Sequence, residues 1–177
     1  VYFITYFFDY PVYISTIFTT LYFLVLLICP CIMTCYVFDM AIQNKKRLKV
    51  YTFIAAGLLL GYVFLVFLNI STGWIFYYDE VKGYTRGPLK NITYVLTLAY
   101  GMAIVLTVLV HRRYLARRIF WVFMAYPFVS IFFVAIQFFF PKVILTGIAS
   151  FTSVLFAYVT IQSYTLGINL KTGLMMD

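Results

Sequence analysis

The sequence predicts an all-α, polytopic transmembrane helix bundle of about five spans with a small extracytoplasmic β-hairpin loop. Three observations carry this expectation. Apolar residues make up 65% of the chain and charged residues only 10%, whereas a soluble domain carries about 25% charged residues because its surface must face water. Mean hydropathy is +1.01. The 177 residues divide into apolar runs of roughly 20, the length at which a helix rising about 1.5 Å per residue crosses a hydrocarbon core about 30 Å thick. Runs of that length fill the chain and leave no room for a soluble domain beside them.

The first span is expected over residues 11–39, with Pro30 inside it as a kink site, because proline removes a backbone donor and crowds the preceding turn. A basic cluster follows at Lys45, Lys46, Arg47 and Lys49. The second span covers 50–70 and ends at the mixed polar loop 71–90. The third covers 91–110 and stops at His111, Arg112 and Arg113, with Arg117 and Arg118 just beyond. The fourth occupies 119–140, ahead of Pro141, and the fifth 143–166. Residues 1–168 thus form a transmembrane region, and 169–177 begin a cytoplasmic segment. The chain opens on Val1 in an already apolar stretch, from which we expect it to be part of a longer protein.

Of the thirteen basic residues, nine fall on one side: the clusters at 45–49 and 112–118, and Lys171. The other side holds Lys82, Arg86, Lys90 and Lys142, together with Asp9, Asp79 and Glu80. Basic loops are retained in the cytoplasm, so the chain is expected to start outside and end inside, with 71–90 outside. The net charge of +8 therefore belongs to topology and calls for no nucleic acid. The partner it implies is the lipid bilayer.

The 20 Phe and 17 Tyr suit interfacial belts and helix contacts, since an apolar ring can be buried while a phenol stays wet. Cys29, Cys31 and Cys35 lie within the first span, but thiols two apart face different sides of a helix and no further Cys or His completes a four-ligand set. No metal and no cofactor are expected. Gly57 and Gly61 form a G-x-x-x-G pair that lets another helix approach closely, either within the bundle or across a homodimer seam. Almost no ionisable group lies at depth, which argues against proton-driven transport. The loops offer no convincing set of acid, base and metal ligands, so no catalytic residue is assigned.

The outer stretch from Asn69 to Lys90 reads NISTGWIFYYDEVKGYTRGPLK. Trp74 to Asp79 has strand-like aromatic character, Glu80 to Gly83 can turn, and Tyr84 to Arg86 can return. It is either an interfacial cap or a ligand-facing lid. In the second case a small molecule would meet Trp74, Tyr77, Asp79, Glu80, Tyr84 and Arg86. Asn69-Ile70-Ser71 and Asn91-Ile92-Thr93 also match the glycosylation acceptor pattern.

The residues Asn69, Thr72-Gly73, Phe76-Tyr77, Asp79, Gly83, the run Tyr84-Thr85-Arg86-Gly87-Pro88-Leu89, and Tyr94 resemble the membrane-embedded sensory region of bacterial GGDEF-type diguanylate cyclases. They are similar also to the seven-helix input regions of sensor histidine kinases. The resemblance implies two helices before Val1, a bacterial cytoplasmic membrane and a cytoplasmic output domain after the last span. GGDEF domains of this group open close to D-x-L-T-G-L-x-N-R. Here Thr172-Gly173-Leu174 match, while Asn169, Lys171, Met176 and Asp177 stand at the Asp, first Leu, Asn and Arg positions.

The expected function is a signal-input region that relays an external or membrane signal to an output domain of the cyclic di-GMP type. The residues present would not be an enzyme, whereas the whole protein would be a diguanylate cyclase-like or histidine kinase enzyme. The competing readings are a transporter or channel subunit for a neutral solute, and a scaffold that binds a partner helix through Gly57 and Gly61.

Overall fold

The computed structural model describes residues 12–79, 83–115 and 117–139, together with Phe151, Leu155 and Tyr158. Among these residues the protein is mostly helical: α1 (Val12–Ala41), α2 (Lys45–Thr72), α3 (Ile92–Val110) and α4 (Arg117–Phe139). A two-stranded sheet, β1 (Phe76–Asp79) and β2 (Gly83–Arg86), lies between α2 and α3. The first three helices are long and apolar enough to cross a membrane, and α4 holds a shorter apolar stretch, Ile119–Phe133. Helices are the form an apolar run must take in lipid, because each backbone N–H and C=O then finds its partner within the segment. The expected span at 143–166 lies outside the described residues except for Phe151, Leu155 and Tyr158, which are helical and exposed. Residues 169–177 lie outside them as well.

The helix ends follow local chemistry. α1 runs unbroken through Pro30, and the Thr34 hydroxyl donates to the Pro30 carbonyl at 2.8 Å. The basic cluster, which precedes the expected second span, forms the first turn of α2. Asn44 caps that turn, its side-chain oxygen accepting from the Lys46 and Arg47 amides at 3.0 and 3.3 Å. A side-chain acceptor at this position satisfies amides that have no intrahelical partner. At the other end, Gly73 takes a left-handed conformation (φ 65°) and its N–H bonds the Asn69 carbonyl, a close suited to a residue without Cβ.

α1 and α3 pack together and are shared by two apolar clusters. The first gathers Leu27, Cys31 and Phe38 of α1 with Tyr62 and Val66 of α2, Tyr100 of α3, and Ile75 and Phe76 at the sheet. The second gathers Met33 and Val37 of α1, Ile104 and Val108 of α3, and Val122, Phe123 and Tyr126 of α4. α2 thus contributes to one cluster and α4 to the other. Polar bonds cross the first: Tyr100 Oη donates to the Ala55 carbonyl at 2.8 Å, and the Tyr62 and Thr93 hydroxyls lie 2.9 Å apart.

The small residue that brings α3 close to α4 is Gly101. A Cβ there would sit 3.5 Å from that of Pro127. A Cβ at Gly57 or Gly61, by contrast, would meet nothing within 4 Å. Among the described residues, the G-x-x-x-G face of α2 is therefore not packed inside the bundle.

Candidate functional site

The sheet is bound to the helices by Asn69, which lies one turn before the end of α2 and is only 3% exposed. Its Oδ1 accepts from the Ile75 and Phe76 amides at 2.6 and 3.2 Å, and its Nδ2 donates to the Phe76 carbonyl at 3.0 Å. One amide side chain thereby satisfies three backbone groups where the chain leaves the helix and enters β1. It leaves no free amide for a glycan, so of the two acceptor patterns only Asn91, which is exposed, presents its side chain outward. The pairing continues past β2, where Gly87 N donates to Ile75 O at 2.9 Å and Leu89 N to Trp74 O at 2.8 Å. Gly87 is required there: a Cβ would run into the Trp74 carbonyl.

The antiparallel register pairs Phe76 with Arg86, Tyr77 with Thr85, Tyr78 with Tyr84, and Asp79 with Gly83. Because successive residues of a strand face opposite sides, Phe76, Tyr78, Tyr84 and Arg86 share one face, and Tyr77, Thr85 and Asp79 the other. The first face packs on the bundle. Phe76 stacks on Phe23 of α1 with centroids 5.3 Å apart and on Tyr84 at 6.1 Å, and Tyr78 meets Tyr84 edge-on at 6.0 Å. The Tyr78 hydroxyl lies 2.7 Å from Thr19 Oγ1 and donates to the Ser15 carbonyl at 3.3 Å. This fastens the sheet to α1 across some sixty residues of sequence.

No protein-family profile matches this chain, nor does any curated protein or solved structure.

The residues singled out in the sequence therefore divide. Tyr84 belongs to the packed face, where burial pushes its phenol up to about 12 against the opposing pull of the Arg86 guanidinium. Trp74 and Tyr77 are 45% and 46% exposed and border an open cleft of about 620 Å³. Asp79 and Arg86 are half-buried and lie on opposite faces of the sheet, while Glu80 lies outside the described residues. The structure thus brings Trp74 and Tyr77 together at the cleft and sets Tyr84 and Arg86 behind them. Sequence reasoning missed Thr16, Ser71, Thr72 and Pro88 in the cleft wall.

Deeper in the bundle, Cys31 and Cys35 are four residues apart on one helix face, and their thiols are neighbours. This contact is not visible from the spacing of Cys29 and Cys31. No group of three or more His, Cys, Asp or Glu side chains that could hold a metal occurs among the described residues. Tyr126 Oη and Ser130 Oγ are neighbours where α4 faces Pro30 and Gly101, and neither reaches a partner in hydrogen-bonding geometry.

Proposed function

We propose that this chain is the membrane-embedded signal-input region of a bacterial receptor, with about five spans and the sheet as an extracytoplasmic lid. Its start lies outside and its end in the cytoplasm, where it joins an output domain of the cyclic di-GMP GGDEF type or a histidine kinase. The observation that carries the reading is the fastening of the sheet to α1 through Tyr78, Thr19 and Ser15. α1 contributes to both apolar clusters, so a ligand that moves the sheet shifts a helix on which α2, α3 and α4 all pack. A ligand can change the arrangement only by the difference in its affinity for the two states, which for coupled sites is about 1 to 3 kcal/mol. The side assignment is supported by charge. α2 begins in Lys45, Lys46, Arg47 and Lys49 and ends at the sheet, and α3 begins at the sheet and ends at Arg112 and Arg113.

The test places a diguanylate cyclase output domain after Asp177 and measures cyclic di-GMP in cells carrying equal amounts of membrane-inserted protein. Tyr78→Phe removes the bonds to Thr19 and Ser15 while keeping the ring, and should change basal output severalfold, within the range that couplings of this size span. Output unchanged by both Tyr78→Phe and Asn69→Ala would remove the support for signalling through the lid.

A further inference from the structure

We propose that the cleft between the end of α2 and β1 binds a primary ammonium group, carried either by a lipid headgroup or by a free amine. The cleft has a volume of about 620 Å³, within the roughly 300–1,000 Å³ of small-molecule sites. Among the described residues no charged side chain lines it: its walls are Val12, Thr16, residues 69–74, residues 76–78 and Pro88.

The aliphatic hydroxyls of this wall have already given their protons to the backbone. Thr16 Oγ1 already donates to Val12 O at 2.9 Å, and Ser71 Oγ and Thr72 Oγ1 both donate to Leu68 O at 3.0 Å. A hydroxyl has one proton and two lone pairs, so these three groups can offer the cleft only acceptors. The Asn69 amide is spent on the sheet, and the Tyr78 hydroxyl is engaged with Thr19 and Ser15.

Two further features add negative potential without formal charge. α2 ends here, at Thr72, and the last carbonyls of a helix lack intrahelical donors and carry the negative end of its dipole. Exposed Trp74 and Tyr77 supply ring faces, which attract cations through their quadrupole. Hydroxyl acceptors, a helix C-terminus and aromatic faces converge on one ligand chemistry, a cation that has N–H groups to give. Among the described residues a carboxylate or phosphate would meet no cation here, only the Trp74 indole N–H and the Tyr77 hydroxyl. A quaternary ammonium would use the rings but leave the hydroxyl lone pairs unused. The inference builds on reading this end as the sensing face, but binding is measured without any signalling output, so either can fail alone.

The experiment uses the full chain in uncharged detergent micelles. Trp121→Phe leaves Trp74 as the sole tryptophan, since the sequence has two. Trp74 emission is titrated with n-hexylamine at neutral pH, short-chain phosphatidylethanolamine, short-chain phosphatidylcholine and n-hexanol. We expect a saturable change with an ammonium-bearing probe, and binding at least about fivefold weaker for phosphatidylcholine and n-hexanol. In the same background, Ser71→Ala with Thr72→Val should weaken binding about tenfold, the cost of losing hydrogen bonds to a charged donor; both positions are exposed. Response to phosphatidylethanolamine alone assigns the site to a lipid headgroup, and response to hexylamine alone assigns it to a free amine. Equal binding of phosphatidylethanolamine and phosphatidylcholine, equal binding of hexylamine and hexanol, or no saturable change with either ammonium probe would overturn the proposal.

Discussion

Replacing Asn69 by Ala should free the sheet while leaving the bundle intact. The side chain makes three bonds, to Ile75 N, Phe76 N and Phe76 O, and Ile75 and Phe76 are each only 1% exposed. A net contribution of about 1 kcal/mol per bond gives about 3 kcal/mol, and buried groups left unpartnered raise that cost rather than lower it. The loss falls on the sheet, because α1, α3 and α4 are joined by the second cluster, which includes neither Asn69 nor the strands. Amide hydrogen exchange in nanodiscs measures this directly. Exchange at Ile75 and Phe76 should quicken on the order of a hundredfold, since each 1.4 kcal/mol is a factor of ten. Amides of Ile104 and Val108 should keep their wild-type rates. Unchanged exchange at 75 and 76 would refute the anchoring role, and equal acceleration across α3 would refute its local character.

Other outcomes follow from neighbouring features. Gly87→Ala should cost at least about 2 kcal/mol, the scale of overpacking, because its Cβ would meet the Trp74 carbonyl; exchange at Trp74 to Asp79 should rise with no change of secondary structure. Tyr84, held up to about 12 by burial, has a folded pKa above its unfolded value near 10. The stability it contributes is therefore whole below pH 10 and lost as pH rises through about 12. In an absorbance titration of phenolate, Tyr84→Phe should remove one group from the latest-titrating set, and loss of a group titrating near 10 would contradict the burial. Gly57→Leu with Gly61→Leu should not lower the thermal midpoint of the monomer, since both sites open on empty space and leucine favours helix over glycine. If this face is a homodimer seam, as one reading of the pair holds, cross-linking in membranes should fall in the same variant.

The four described helices were legible because an apolar run in lipid has little choice but to form one, and apart from the start of α2 their ends lie within two residues of the limits expected. α2 starts ahead of the expected span because the span was bounded by its apolar residues, whereas Asn44 is a cap that extends the helix over the cations at 45–49. The segment 74–79 could be seen to be strand-like, but which ligand candidates share a face depends on the register of β1 against β2. The pairing of Tyr78 with Tyr84 therefore decided what composition could not. Asn69 invited the wrong question: its neighbours spell a glycosylation acceptor, and only the folded chain brings the Ile75 and Phe76 amides to its oxygen. The contact of Tyr78 with Thr19, 59 residues apart, has no local signal in the sequence at all.

The hydroxyls of α1 bear on how the chain is made. Several of the helix's buried partners, among them Ile104 and Val108, belong to α3 and emerge from the ribosome about 60 residues later. At about 5 to 20 residues per second that is a wait of roughly 3 to 12 seconds. In the membrane reading proposed above, α1 then sits in lipid or in the insertion machinery with Ser15, Thr19, Thr20 and Thr34, all buried in the finished fold, still uncovered. Two of these already have partners inside their own helix, Thr19 with the Ser15 carbonyl and Thr34 with that of Pro30. Because those bonds need no other helix, nascent α1 can keep these two hydroxyl protons bonded in lipid before the helix that will bury them has been synthesised.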